Sequence, residues 1–81
     1  MNRQYINDHY PDLTVLDGFD DAIIGVAERI DLVAVCYDYA KIIAILMQDM
    51  TEEDAIEYFD FNILGAYVGE HTPIFLTTEG D

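Results

Sequence analysis

The sequence predicts a small α+β domain: an antiparallel sheet in β-β-α-α-β order, with a two-helix hairpin packed on one face. Three observations carry that expectation. The run Leu32-Val33-Ala34-Val35-Cys36-Tyr37 is apolar, rich in β-branched residues and bounded by Asp31 and Asp38, the mark of a short buried strand. Two segments with helical apolar spacing follow, each opened by a good capping residue, Asp38 and Thr51. A second apolar run, Ile74-Phe75-Leu76-Thr77, begins behind Pro73, which suits the first residue of a strand or an edge.

Taken in order, residues 1–16 are polar and carry a Tyr10-Pro11-Asp12 turn signal, so a loose arm or a first extended segment is expected. Ala22 to Ala27 reads as a buried strand, yet Ile23, Val26, Ala27 and Ile30 also fit a helical stripe, with Gly25 counting against the helix. If both apolar runs are strands, Glu28-Arg29-Ile30-Asp31 joins them without the Asn-Gly or Asp-Gly of a tight hairpin. The helix from Tyr39 to about Gln48 places Ile42, Leu46 and Met50 on one stripe, flanked by Ile43 and Ile45. Lys41, Ala44 and Gln48 are left for its outer face. Thr51-Glu52-Glu53-Asp54 resembles a capping box, and its acids complement the helix dipole. Ala55, Ile56, Phe59 and Ile63 form the core stripe of this second helix, and Gly65 is a natural stop.

Eighty-one residues support one apolar core, hence a single domain. Three basic and seventeen acidic residues give a net charge of −14, but a hydrophobic fraction of 52% separates the chain from acidic disordered tails. Such a balance argues against direct binding to nucleic acid, which needs clustered Lys and Arg, and against anionic membrane surfaces. Basic protein surfaces and cations remain as partners. No apolar stretch approaches the ~20 residues of a membrane span and no leader is evident, so a cytoplasmic protein is expected. The one cysteine, Cys36, allows no internal disulfide and reads as a small core hydrophobe.

Positive signs of catalysis are lacking. His9 and His71 are the only histidines, and they belong to no set of three or four ligands at metal-binding spacing. Glu52-Glu53-Asp54 lacks the pattern of a calcium loop, so neither a metal nor a cofactor is expected. Glu70-His71 is the best pair for general-base work, with Cys36 or Thr72 as a nucleophile, although solvation of a loop is the preferred account of the pair.

The acids are distributed unevenly. Residues 42–81 hold nine Asp or Glu and no Lys or Arg. Glu53, Glu57 and Asp60 follow i, i+4, i+7 spacing on the second helix, where like charges lower local stability. Asp54 continues that surface. Phe61, Tyr58 and Leu64 fall off the core stripe, and an aromatic ringed by carboxylates has the make-up of an interface hot spot. Phe61 packed under the N-terminal arm, under the last strand or in a homodimer is the alternative.

Ala22-Ile23-Ile24-Gly25, Val35-Cys36-Tyr37-Asp38, Ile45-Leu46-Met47, Glu57-Tyr58-Phe59-Asp60-Phe61-Asn62 and Gly65-Ala66-Tyr67-Val68-Gly69-Glu70-His71-Thr72-Pro73 occur in an order that resembles small uncharacterised proteins of tailed bacteriophages. The similarity spans roughly residues 18–76. It implies the strand reading of Ala22 to Ala27 and expression in the cytoplasm of a bacterial host, and it supplies no activity or catalytic residue.

Three functions are thereby expected in descending order. The first is a non-catalytic acidic protein that binds and modulates or inhibits a host protein with a basic surface, its carboxylates standing where phosphates would sit. Glu53, Asp54, Glu57 and Asp60 would supply the charge, Tyr58 and Phe61 the anchors, and Asp17, Asp20 and Asp21 a second patch. The second is a small structural or assembly protein that forms a homo-oligomer. The third is a minimal enzyme or small-molecule binder with a pocket around Asn62, Tyr67, Glu70 and His71.

Overall fold

The computed structural model describes residues 1–65 and 71–78. In chain order its elements are α1 (Arg3–His9), a 3-10 turn (Asp20–Ala22), β1 (Ile23–Arg29), β2 (Leu32–Asp38), α2 (Tyr39–Leu46), α3 (Glu52–Tyr58), a π-helical segment (Phe59–Leu64) and β3 (Ile74–Leu76). The three strands form one mixed sheet in the order β1-β2-β3.

β1 and β2 are an antiparallel hairpin with Val26 opposite Val35 and Arg29 opposite Leu32. The turn is therefore only Ile30-Asp31, tighter than the four-residue joint expected. No residue but Gly18 has positive φ among those described, so the turn is not the Gly-rich mirror-image type. An Arg29–Asp31 ion pair of 2.9 Å clips it instead. The register slips between Ile23 and Gly25, a bulge that leaves Ile24 exposed.

β3 corrects the antiparallel expectation. It pairs parallel to β2, with Cys36 opposite Ile74 and Tyr37 opposite Phe75. A parallel partner needs a long crossover, and the helical stretch after Asp38 provides one. The apolar pattern of Ile74-Phe75-Leu76 marks a strand but carries nothing about its direction.

Side chains alternate across a strand, so Val35 and Tyr37 face one way and Cys36 the other. Val35 and Tyr37 share one core with Ile42 and Ile43 of α2, Ala55 of α3, and Phe59 and Ile63 of the π segment. Both expected helices thus cover the same face of the sheet. Cys36 lies on the opposite face and is only partly covered, a departure from the core position expected of it. Its thiol is pushed above the ordinary value, by burial first and by the charge of Asp38 second.

The N-terminal residues are not an arm. Asn2 caps α1 by accepting a hydrogen bond from the Tyr5 amide at 2.9 Å. Ile6, Leu13 and Leu16 then enter the same core. The Leu16 amide donates to the Tyr37 hydroxyl at 2.8 Å, tying this segment to the central strand. Isolated apolar residues within a polar segment too short for a clear period hid the helix.

The helix caps follow the sequence. Asp38 accepts from the Lys41 amide at 3.4 Å, and Thr51 accepts from the Asp54 amide at 3.2 Å. Phe59 binds the layers together, with its ring centroid 5.0 Å from Tyr39 and 4.8 Å from Phe75, both edge to face. Such pairs add about 0.5–1.5 kcal/mol each beyond their buried area.

Candidate functional site

The surface singled out by its charge is built by a change of helical winding. From Glu52 to Tyr58 the chain is α-helical, and from Phe59 to Leu64 it is π-helical, closed by a Gly65 amide to Asp60 carbonyl bond of 3.2 Å spanning five residues. In an α-helix a four-residue step overshoots one turn by about 40°. In the wider π turn, with i→i+5 bonding, four residues fall short of one turn. The two drifts offset each other, so Ala55, Phe59 and Ile63 all stay in the core.

Ile56 does not. It was expected in the core stripe with them, yet it is 38% exposed. Uniform α winding gave it a core position; the actual winding keeps the buried face on the Ala55 line. Phe61 and Tyr58 are exposed as the spacing indicated, by 75% and 43%, and Leu64 is exposed beside them. Phe61 is therefore covered by neither the N-terminal segment nor β3.

Met50, Asp54, Glu57, Tyr58, Phe61 and Asn62 together line an open cleft of about 360 Å³. Met50 is partly buried against the core and connects the cleft to it. Asp54 and Glu57, three residues apart on α3, share one side of the helix. Glu53 and Asp60 are exposed but lie outside the cleft lining. Of the residues expected at an interface, the fold thus gathers Asp54, Glu57, Tyr58 and Phe61 into one concave place. It adds Met50, which the spacing had assigned to the core.

The electrostatics distinguish this face from the second acidic patch. Arg3 reaches Asp17 at 2.6 Å and Asp20 at 3.4 Å. The hydrogen bond to Asp17 raises the Arg3 guanidinium above its ordinary value. Asp17 and Asp20 are accordingly internal partners of α1, while Asp21 is exposed beside them. Among the described residues the ion pairs are those of Arg3 and Arg29, and none involves the acids from Glu52 to Asp60. The negative field of the α3 face is left for a partner or for solvent ions.

The pocket expected around Asn62, Tyr67, Glu70 and His71 is not gathered in the described part of the fold. Tyr67 and Glu70 lie outside the described residues. Asn62 lines the Phe61 cleft, whereas His71 lines a different one of about 200 Å³ with His9, Tyr10 and Leu13. His71 Nδ1 is 3.5 Å from the Val33 carbonyl oxygen. His9 stacks on Tyr5 with centroids 4.0 Å apart. Among the described residues no three His, Cys, Asp or Glu side chains converge to hold a metal ion. No described helix is long and apolar enough to cross a membrane.

Another cleft, of about 590 Å³, lies between α1 and the 3-10 turn and is lined by Arg3, Asn7, Asp20 and Asp21 among others. It offers no aromatic ring, and its cation is already engaged by Asp17 and Asp20. The Phe61 cleft is the stronger candidate because exposed rings meet there with carboxylates that form no ion pair among the described residues. Neither a protein-family model, nor a curated protein, nor a solved structure matches the chain.

Proposed function

We propose that the protein is a non-catalytic acidic binder that modulates or inhibits a host protein with a basic surface, in the cytoplasm of a phage-infected bacterium. The observation that carries this reading is Phe61, 75% exposed on a face whose acids pair with no cation among the described residues. A large aromatic left in water at the centre of a charged surface is the composition of an interface anchor with its rim. Carboxylates at Glu53, Asp54, Glu57 and Asp60 would occupy the positions of phosphates in the partner's groove, with Tyr58 and Phe61 anchoring. Electrostatic complementarity of this kind accelerates association and is weakened by salt. The phage setting rests on the sequence resemblance over residues 18–76.

The test is affinity capture from a bacterial lysate with the tagged protein, followed by duplex DNA competition against each captured protein. Support consists of a captured basic protein that is released at about 1 M salt, where the Debye length is about 3 Å, and displaced by DNA. Capture that survives both treatments would overturn the charge-mimic reading.

A further inference from the structure

Building on the basic-partner reading, we propose that the Phe61 cleft is a socket for one arginine side chain of the partner, held between aromatic rings and the Asp54 and Glu57 carboxylates. The cleft volume of about 360 Å³ sits at the small end of the ~300–1,000 Å³ in which proteins hold discrete ligands. It suits a single side chain rather than a helix or an extended peptide.

The chemistry of the walls selects the occupant. Exposed rings of Tyr58 and Phe61 offer negative π faces, on which guanidinium groups stack. Asp54 and Glu57 offer acceptors on the same wall, and the side-chain carbonyl of Asn62 adds a neutral one. An aliphatic side chain would desolvate both carboxylates without replacing their hydrogen bonds, which is costly. A phosphate or carboxylate would meet like charge on entry. An ammonium satisfies the charge, but its compact, strongly hydrated head lacks the planar fork that stacks on a ring and bonds a carboxylate bidentately. Arginine answers every wall of the cleft.

The π-helical segment makes the socket. It keeps Phe59 and Ile63 in the core, and between them the same short stretch presents Phe61 and Asn62 to the cleft. Single π turns within helices occur frequently at functional sites. Here the turn places the ring and the amide beside the α3 carboxylates.

The experiment uses the full chain and a short basic peptide with one central arginine, compared with the same peptide carrying citrulline or lysine there. Isothermal titration gives affinity, and amide chemical shifts locate the site. The arginine peptide is expected to shift the amides of Asp54, Glu57, Phe61 and Asn62, and to bind about fivefold to thirtyfold more tightly than the citrulline peptide, the range of a partly desolvated cation–π contact. Lysine falls between them. Phe61→Leu, which keeps an apolar side chain but no ring, removes most of that preference, as does Glu57→Gln. Glu28→Gln, with the same loss of charge at an exposed position of β1 outside the cleft, leaves the preference in place.

Equal effects of Glu28→Gln and Glu57→Gln, or arginine and citrulline peptides bound alike, would overturn the socket. Salt-sensitive binding of the basic peptides in that case still upholds the broader reading. Absence of binding by any of the peptides overturns the socket, while capture of a salt- and DNA-displaceable protein decides the broader reading separately. All three substituted side chains are solvent-exposed, and circular dichroism of each variant verifies the fold.

Discussion

Replacing Tyr37 by Phe removes one oxygen atom from the centre of the domain and keeps the ring. Tyr37 is fully buried on the central strand, and its ring lies 6.1 Å from that of Phe75. Its hydroxyl accepts the Leu16 amide at 2.8 Å, in a place where Leu16 is itself buried. Without that oxygen the buried Leu16 amide loses this acceptor. Leaving a buried donor unpaired costs about 1–3 kcal/mol. Domains of this kind hold only about 5–15 kcal/mol in total, so the loss is a large share of the whole.

Urea unfolding of the two proteins measures it. The midpoint is expected to fall with an unchanged slope, because the surface exposed on unfolding is the same. In thermal unfolding each kcal/mol corresponds to a fall of roughly 4–8 °C for a domain of this size. Native-state hydrogen exchange adds a local readout: the Leu16 amide should lose more protection than the amides of β2 do. A Tyr37→Phe protein within about 0.5 kcal/mol of the parent, the range of ordinary surface substitutions, would refute the claim that this bond ties the N-terminal segment to the sheet.

Three further outcomes are expected. Ile6→Ala, in a helix the sequence left as an arm, should cost about 2–5 kcal/mol by urea unfolding, as truncation of a core aliphatic does; no measurable cost would return residues 1–16 to the status of an appendage. The glycines Gly18 and Gly25 should respond in opposite directions. Gly18 has φ of 89°, so Gly18→Ala costs about 1–2 kcal/mol, whereas a Cβ at Gly25 meets nothing within 4 Å and Gly25→Ala gains roughly 0.5–1 kcal/mol. The Cys36 thiol, raised by burial and by Asp38, should alkylate more slowly near neutral pH than an exposed cysteine, with its rate rising at higher pH. Its folded value lies above the unfolded one, so the stability it contributes is present below roughly pH 8.5 and lost as pH climbs through the raised value. Wild type should then lose stability relative to Cys36→Ala in alkaline buffer, and equal pH profiles would contradict the shift.

Much of the fold was legible because the information is local. Asp38 and Thr51 cap helices where their side-chain chemistry indicated, and Gly65 follows the last helical residue. The stripe of Ile42, Leu46 and Met50, with Ile43 and Ile45 beside it, does turn to the core. The outward positions of Tyr58, Phe61 and Leu64 followed from spacing alone. The N-terminal helix was less visible, since Ile6, Leu13 and Leu16 are isolated apolar residues with no period to announce them. The candidate site was half legible: its aromatic and acidic members stood out, but Met50 looked like core and Asn62 was grouped with His71.

By itself, then, the amino-acid sequence determined the strands at β2 and β3, the two helices capped by Asp38 and Thr51 and the acidic bias of the second half, because these depend on neighbours a few residues apart. Tertiary structure decided the parallel direction of β3, the burial of α1 and the outward turn of Ile56. It also decided that Asp17 and Asp20 are spoken for by Arg3 while the α3 acids are not. Ile56 turns outward with the change of winding at Phe59, and the other three share one physical reason. Each depends on contacts between residues far apart in the chain, such as Leu16 with Tyr37 and Phe59 with Phe75, and no local pattern encodes which distant partner a side chain will meet.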